Sequence, residues 1–235
     1  MNKDVHLTID IDWASDEILE YTMSLLRQYD ISATFFVTHE TPLLRQIREN
    51  KSWELGIHPN FNKLLLGESS LDYMRVIDDI LQVVPEAVSA RSHALTQGSI
   101  ISQYSFQRGI LYESNTYIPA SSPMILSAYT MPSGCTCVPF FFEDDVWFSK
   151  PEEQHEDVGV YFRKEGLKVF NFHPIHIFLN TENPERYSKA KNYHKLVRND
   201  STSKRGAEDV LKEMFAYAKT HNFTFKMLNQ LETCQ

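Results

Sequence analysis

Two aspartates two residues apart close an apolar run in HLTIDIDW, from His6 to Trp13. Lone histidines follow in LGIHPNF at His58, in ARSH at His93 and in NFHPIH at His173. Carboxylates and imidazoles are the groups from which a mixed oxygen and nitrogen site for a divalent cation is built, or a general acid–base pair. Each piece also has a plainer reading. A D-x-D at a strand end can be a turn or a helix cap, and His58 before Pro59 can be a rigid corner. The choice turns on whether the surrounding elements deliver these side chains to one place.

Side chains alternate faces along a strand. Over residues 5–12 this sets His6, Thr8, Asp10 and Asp12 on one face and Val5, Leu7, Ile9 and Ile11 on the other. The apolar face must meet helices, so the polar face looks toward a barrel axis or a sheet rim, with the carboxylates roughly 7 Å apart. That spacing lets one carboxylate hold a cation while the other works on a water beside it. The same alternation groups Glu54, Gly56 and His58, then Ser89, Arg91 and His93, then Asn171 and His173. Four runs thus end in an ionisable inward side chain, and the C-terminal ends of strands are where barrel active sites are built. This convergence favours the site over the turn. His6, His39, His155, His194 and His221 lack such company and read as surface or satisfied core residues.

Short runs rich in branched and aromatic residues at 5–12, 33–38, 54–58, 87–93, 110–117, 137–143 and 168–177 read as strands. Amphipathic patterns at 15–29, 41–49, 70–83 and 205–220 read as helices. The alternation predicts β-α units around a parallel sheet. Ser15, followed by acidic Asp16 and Glu17, starts the first helix directly after the two aspartates, which places that pair at a strand's C-terminal end. Residues 118–139 carry four prolines and read as irregular, and the polar residues 180–204 read as a long surface excursion.

The chain has 235 residues, 42% of them hydrophobic, which suits one domain with one sizeable core. Lys and Arg total 23 against 31 Asp and Glu, a formal charge of −8 with no polybasic run, which argues against nucleic acid as a partner. No apolar run approaches the roughly 18 residues of a membrane span, and MNKDVHLTID lacks the regions of a secretory signal, so the expected location is cytoplasmic. Cys135, Cys137 and Cys234 have neither zinc-ribbon nor disulfide-framework spacing and read as free thiols.

These residues resemble the polysaccharide deacetylase family, the family-four carbohydrate esterases, from Asp10 to His173. TIDID is similar to the family's paired-aspartate motif, ATFFVT (33–38) to its second strand, ELGIHPNF to its histidine motif, FFFEDDVWF (140–148) to its acidic and tryptophan motif, and NFHPIH to its last motif. The resemblance implies a distorted (β/α)7-type barrel over 1–235 as a single domain. It implies that Asp10 is the catalytic base, Asp12 and His58 are metal ligands, Arg91 pairs with the base, and His173 is the general acid. Asp144 or Asp145 would orient His173, with His176 a second possibility for the acid. The family's second histidine is replaced by Asn62, a poorer zinc ligand. The family's prolines after the arginine are replaced by Ser92 and His93, so His93 is expected as the third ligand ahead of Asn62.

The implied activity is metal-dependent hydrolysis of an N-acyl group, foremost N-acetyl, from an amino sugar of a surface-polysaccharide precursor. The implied cofactor is a divalent ion, zinc first among those that suit mixed oxygen and nitrogen ligands. Two alternatives stay open: a catalytically inactive glycan-binding barrel, and an amidohydrolase of a small non-sugar amide.

Overall fold

The computed structural model describes residues 3–150, 153–193 and 204–231. A parallel sheet is built from β1 (Asp4–Asp10), β2 (Ala33–Val37), β3 (Trp53–Ile57), β4 (Ser89–Ala90) and β5 (Tyr112–Glu113). It continues to β6 (Tyr129–Thr130) and β7 (Thr136–Cys137) on one side, and to β8 (Phe142–Glu143) and β9 (Val169–Phe172) on the other. The order is β6-β7-β5-β4-β3-β2-β1-β9-β8, with β10 (Thr224–Lys226) pairing the start of β1. Among the described residues, only β6 runs antiparallel to its neighbour. The main helices of the outer layer are α1 (Asp16–Tyr29), α2 (Leu44–Glu49), α3 (Asn62–Leu65), α4 (Tyr73–Val83) and α5 (Ser99–Gln107). They continue with α6 (Asp144–Phe148), α7 (Gly159–Arg163), α8 (Pro174–Leu179), α9 (Pro184–Tyr193) and α10 (Ala207–His221).

The sheet curls until its ends meet one stretch of chain. Val138 and Phe140 donate backbone hydrogen bonds to Glu113 and Thr116, while Phe142 and Glu143 pair with Phe170 and Asn171. Residues 137–143 therefore touch both margins, as the distorted barrel requires. Val5, Leu7, Ile9 and Ile11 are fully buried on the face toward the helices. The other face of β1 points into the barrel, and there the packing is tight. A Cβ on Gly56 would stand 2.5 Å from Ser89 Oγ and 2.8 Å from the Phe36 ring, so glycine makes room for an aromatic in the barrel's middle.

Several expected boundaries move. The run 168–177 is a strand only to Phe172, because Pro174 takes the first turn of α8, where its missing N–H costs nothing. The run 87–93 pairs only at Ser89 and Ala90, and 137–143 splits into β7 and β8. Residues 180–204 are not all excursion: α9 begins where Asn183 Oδ1 accepts from the Arg186 amide at 2.8 Å. Residues 194–203 of that stretch, including His194, lie outside the described residues, as does Cys234. Within 118–139 the chain forms the β6–β7 hairpin, closed by Met131 N–H to the Cys135 carbonyl. No helix among the described residues is long and apolar enough to cross a membrane.

Candidate active site

Asp12, His58 and His93 meet at the C-terminal ends of β1, β3 and β4. His58 directly follows β3. Asp12 stands two residues beyond β1 in the left-handed region, φ 44°, and His93 opens a 3-10 turn whose next two residues, Ala94 and Leu95, are also left-handed. Strand parity does not itself carry Asp12 or His93 inward, since the regular pairing has already ended; the strained turns do. His58 Nε2 lies 3.3 Å and His93 Nδ1 3.2 Å from the same oxygen, Asp12 Oδ1. Burial pushes the Asp12 carboxyl up, but hydrogen bonds from His58 and His93 and the nearby charge of His173 hold it well below the usual carboxylate range. His39, excluded by its lack of company in the sequence, supports this corner by bonding the Asp12 carbonyl at 3.1 Å and the Thr38 hydroxyl at 2.8 Å.

These distances suit a cation. With bonds of about 2.0–2.1 Å, tetrahedral ligands stand about 3.3 Å from one another, matching the two separations at Asp12. His58 Nδ1 is buried with no hydrogen-bond partner among the described residues, which leaves Nε2, aimed at Asp12, as the nitrogen open to a ligand. Asp12 and His93 each keep 26% of their side-chain surface exposed, so the group opens to solvent. Two other groups bring donor atoms within 4.8 Å: Asp144, His173 and His176, and Asp10, Glu143 and His173. In the first of these both Asp144 oxygens already accept hydrogen bonds and all three residues are buried. The second shares Asp10 with Arg91. Asn62 begins α3, with its backbone N–H held by Asn60 Oδ1.

Beside this corner, a polar cluster fills the barrel. Arg91, fully buried, donates from Nε to the Ser114 carbonyl at 2.8 Å, and from Nη2 to Ser114 Oγ at 2.7 Å. Its Nη1 donates to Thr8 Oγ1 at 2.7 Å, to Asp10 Oδ1 at 3.1 Å and to Asn171 Oδ1. The Phe36 and Phe140 rings cover the guanidinium at 4.9 and 4.3 Å. Asp10 receives its second hydrogen bond at Oδ2 from Asn171 Nδ2, 3.0 Å away.

Across the pocket, His173 Nδ1 is 2.7 Å from Asp144 Oδ1, and its backbone N–H donates to Asp144 Oδ2 at 2.9 Å. Its Nε2 comes to 3.9 Å from Asp10 Oδ2. Burial lowers the His173 pKa, but the charge and hydrogen bond of Asp144, then the charges of Asp10 and Asp145, hold it well above the ordinary imidazole value. Asp144, pushed up to about 6 by burial against the pull of His173, is thus the acid that orients this ring. Asp145 is not. His176 sits one turn on, bonded to Thr181 and packed on Phe148 at 4.7 Å, and burial drives its pKa well below normal. It is a neutral core histidine. His6 is likewise buried and bonded to the Met227 carbonyl.

The structure places Asp12, His58 and His93 at one corner, with Asp10, Arg91 and His173 beside it. Sequence reasoning gave no role to Asn171, Glu143 or Trp13. Asn171 Nδ2 also donates to Glu143 Oε1 at 3.1 Å. Burial, then the charges of Asp145 and Asp10, push Glu143 up to about 7 against the pull of His173 and Arg91. Trp13, 57% exposed, sets its edge on the His93 ring with centroids 5.1 Å apart. Parity does place Asn171 on the His173 face, but nothing in the sequence names its partners.

A curled β/α barrel with acids and imidazoles gathered at the C-terminal ends of its strands is the architecture of the polysaccharide deacetylase class. The profile described as WbmS-like polysaccharide deacetylase matches residues 7–191, and the chain belongs to that family. A crystal structure of a Bordetella bronchiseptica protein, assigned as a polysaccharide deacetylase involved in O-antigen biosynthesis, is 35% identical with a TM-score of 0.86, over 91% of this chain and 90% of its own. The fold is also that of a Bacillus cereus polysaccharide deacetylase, 14% identical with a TM-score of 0.53 over 100% of this chain and 96% of its own. A Bacillus anthracis pseudoenzyme of carbohydrate esterase family four is 13% identical with a TM-score of 0.57, over 98% of this chain and 65% of its own. No curated protein sequence matches.

Proposed function

We propose that this protein is a metal-dependent hydrolase that removes an N-acyl group, foremost N-acetyl, from an amino sugar of a surface-polysaccharide precursor in the cytoplasm. The observation that carries the reading is the pairing of two half-sites. An open corner of one carboxylate and two imidazole nitrogens faces a buried carboxylate and a buried imidazole whose nearest atoms are 3.9 Å apart. The assignment of the Bordetella relative to O-antigen biosynthesis supports the substrate class.

Asp12, His58 and His93 would hold the ion, zinc by preference for that donor set. A divalent cation there supplies Lewis acidity, making water easier to deprotonate near neutral pH and polarising the acyl carbonyl. Asp10, held in place by Arg91 and Asn171, takes the proton of the attacking water. His173, charged through Asp144, gives its proton to the sugar nitrogen as the C–N bond breaks, because an amide nitrogen leaves poorly as an anion. The products are the free amine and a carboxylate. Arg91 touches no solvent, so its role is to fix Asp10.

The test couples metal analysis to acetate release. Purified wild type should carry about one ion per chain and release acetate from N-acetylated sugars such as UDP-N-acetylglucosamine or N-acetylglucosamine oligomers. His58→Ala and His93→Ala should lose both, whereas Asn62→Ala should keep the ion. Full metal retention in both histidine variants would sink the site. The second reading, a barrel that binds glycans without chemistry, is favoured by Asn62 standing where the resembling family has a histidine; it predicts glycan binding with no acetate release.

A further inference from the structure

Among the described residues, the remaining cavities and exposed apolar residues offer no ligand of definite chemistry, but one buried amide at the heart of the polar cluster does more than fill space. Asn171, fully buried in β9, uses its entire carboxamide. Oδ1 accepts from Thr8 Oγ1 at 2.9 Å and from Arg91 Nη1; Nδ2 donates to Asp10 Oδ2 at 3.0 Å and to Glu143 Oε1 at 3.1 Å. Arginine can only donate, so the atom facing Arg91 must be the oxygen. The amide's orientation follows from its neighbours' chemistry, and its two hydrogens necessarily point at two carboxyl groups.

We infer that Asn171 is a positioning residue for the base, acting through Asp10 as the neutral spacer that lets two acids share one pocket. Arg91 reaches Asp10 only at Oδ1. Among the described residues, the second oxygen, 3.9 Å from His173 Nε2, takes its hydrogen bond from Asn171. Asn171 also inserts an N–H toward each of two carboxyl groups that would otherwise compete for the same guanidinium. Its dipole relays the field of Arg91: the oxygen end rests on the cation and the N–H end on the acids. With Asn171 in place, Asp10 Oδ2 is held by one hydrogen bond and 3.9 Å from His173 Nε2, with acceptor capacity left for the proton of the attacking water.

The inference rests on that reading, and the experiment separates the two. Asn171→Leu keeps the branched outline of the side chain, with two methyls in place of the amide oxygen and nitrogen, and removes the hydrogen bonds. Asn171→Asp keeps the shape but replaces the double donor with an oxygen aimed at two acids. Both would be assayed, beside wild type, on whichever of UDP-N-acetylglucosamine or N-acetylglucosamine oligomers wild type turns over fastest. Rates would be expressed per metal-loaded, folded molecule. For Asn171→Leu, kcat should fall roughly 10- to 100-fold, the worth of a hydrogen bond to a charged group, with KM within about twofold and metal content unchanged. A merely structural amide would lower melting temperature and metal content while leaving kcat per loaded molecule alone. Asn171→Asp should lose more than Asn171→Leu, and adding Glu143→Gln, which returns an N–H to the pocket, should restore about tenfold or more. Asn171→Leu with wild-type kcat overturns the inference. If that variant does not fold, equal losses in Asn171→Asp and its Glu143→Gln double variant overturn it. Wild type silent on every N-acetyl sugar overturns the deacetylase reading and this inference with it.

Discussion

A guanidinium taken out of water costs several kcal/mol unless each of its N–H groups is met. All three Arg91 nitrogens find acceptors, in Ser114 twice, Thr8, Asp10 and Asn171, and two aromatic faces cover the plane. Lysine cannot reproduce a planar fork that binds in three directions. Arg91→Lys is therefore expected to cost about 3 kcal/mol in urea unfolding, and to lower activity by freeing Asp10. The His173–Asp144 pair makes a prediction with a sign. His173 works only while protonated, and Asp144 is the foremost group raising its pKa against burial. Activity should thus fall as pH rises through the raised His173 value. Asp144→Asn removes that support, so the alkaline limb of the kcat/KM profile should move down by ~1–2 pH units, with a lower plateau from lost orientation. An unmoved alkaline limb would remove His173 from the role of acid.

At the scale of elements, alternation along strands located Asp10, Arg91 and Asn171 correctly, because inside a barrel every second side chain has to find a partner. It also named His93 and Asp12, yet by a route the chain does not take. The strand before His93 ends at Ala90, and the ring reaches Asp12 because Ala94 and Leu95 turn the backbone through φ values of 53° and 54°. Left-handed backbone at alanine and leucine has no sequence signal. The short wall strands were overestimated for a related reason: apolar, β-branched runs report burial, and the barrel wall buries extended chain that pairs for only two residues. Helix α5 was invisible because its buried positions include Ser102 and Ser105, with Ser102 satisfied by Glu113. The strained turn is testable. Ala94→Gly should stabilise the protein by ~1 kcal/mol in urea, since glycine adopts that backbone without steric cost. A loss of stability would mean that the alanine methyl makes contacts worth more than the strain.

For the whole molecule, the proposed ligands come from the ends of three different strands and meet only when the sheet curls. An unfolded chain cannot present them together, so an ion that binds there binds the folded state alone and stabilises it by mass action. At a free concentration about 100 times its dissociation constant the gain is ~2.7 kcal/mol. For a chain of 235 residues each kcal/mol shifts the melting temperature by roughly 2–4 °C. Chelator treatment should then lower the melting temperature by roughly 5–10 °C, and zinc should restore it. Cobalt or nickel should restore it by amounts that rank their affinities. Asp12→Ala should melt at one temperature with or without chelator, because it lacks the oxygen on which both imidazoles converge. A zinc-loaded wild type that melts unchanged after its ion is stripped would show that folding and ion binding are not coupled through this corner. The three strand ends would then owe their arrangement to protein hydrogen bonds, those of Asp12 and that of the His93 N–H to the Pro59 carbonyl among them.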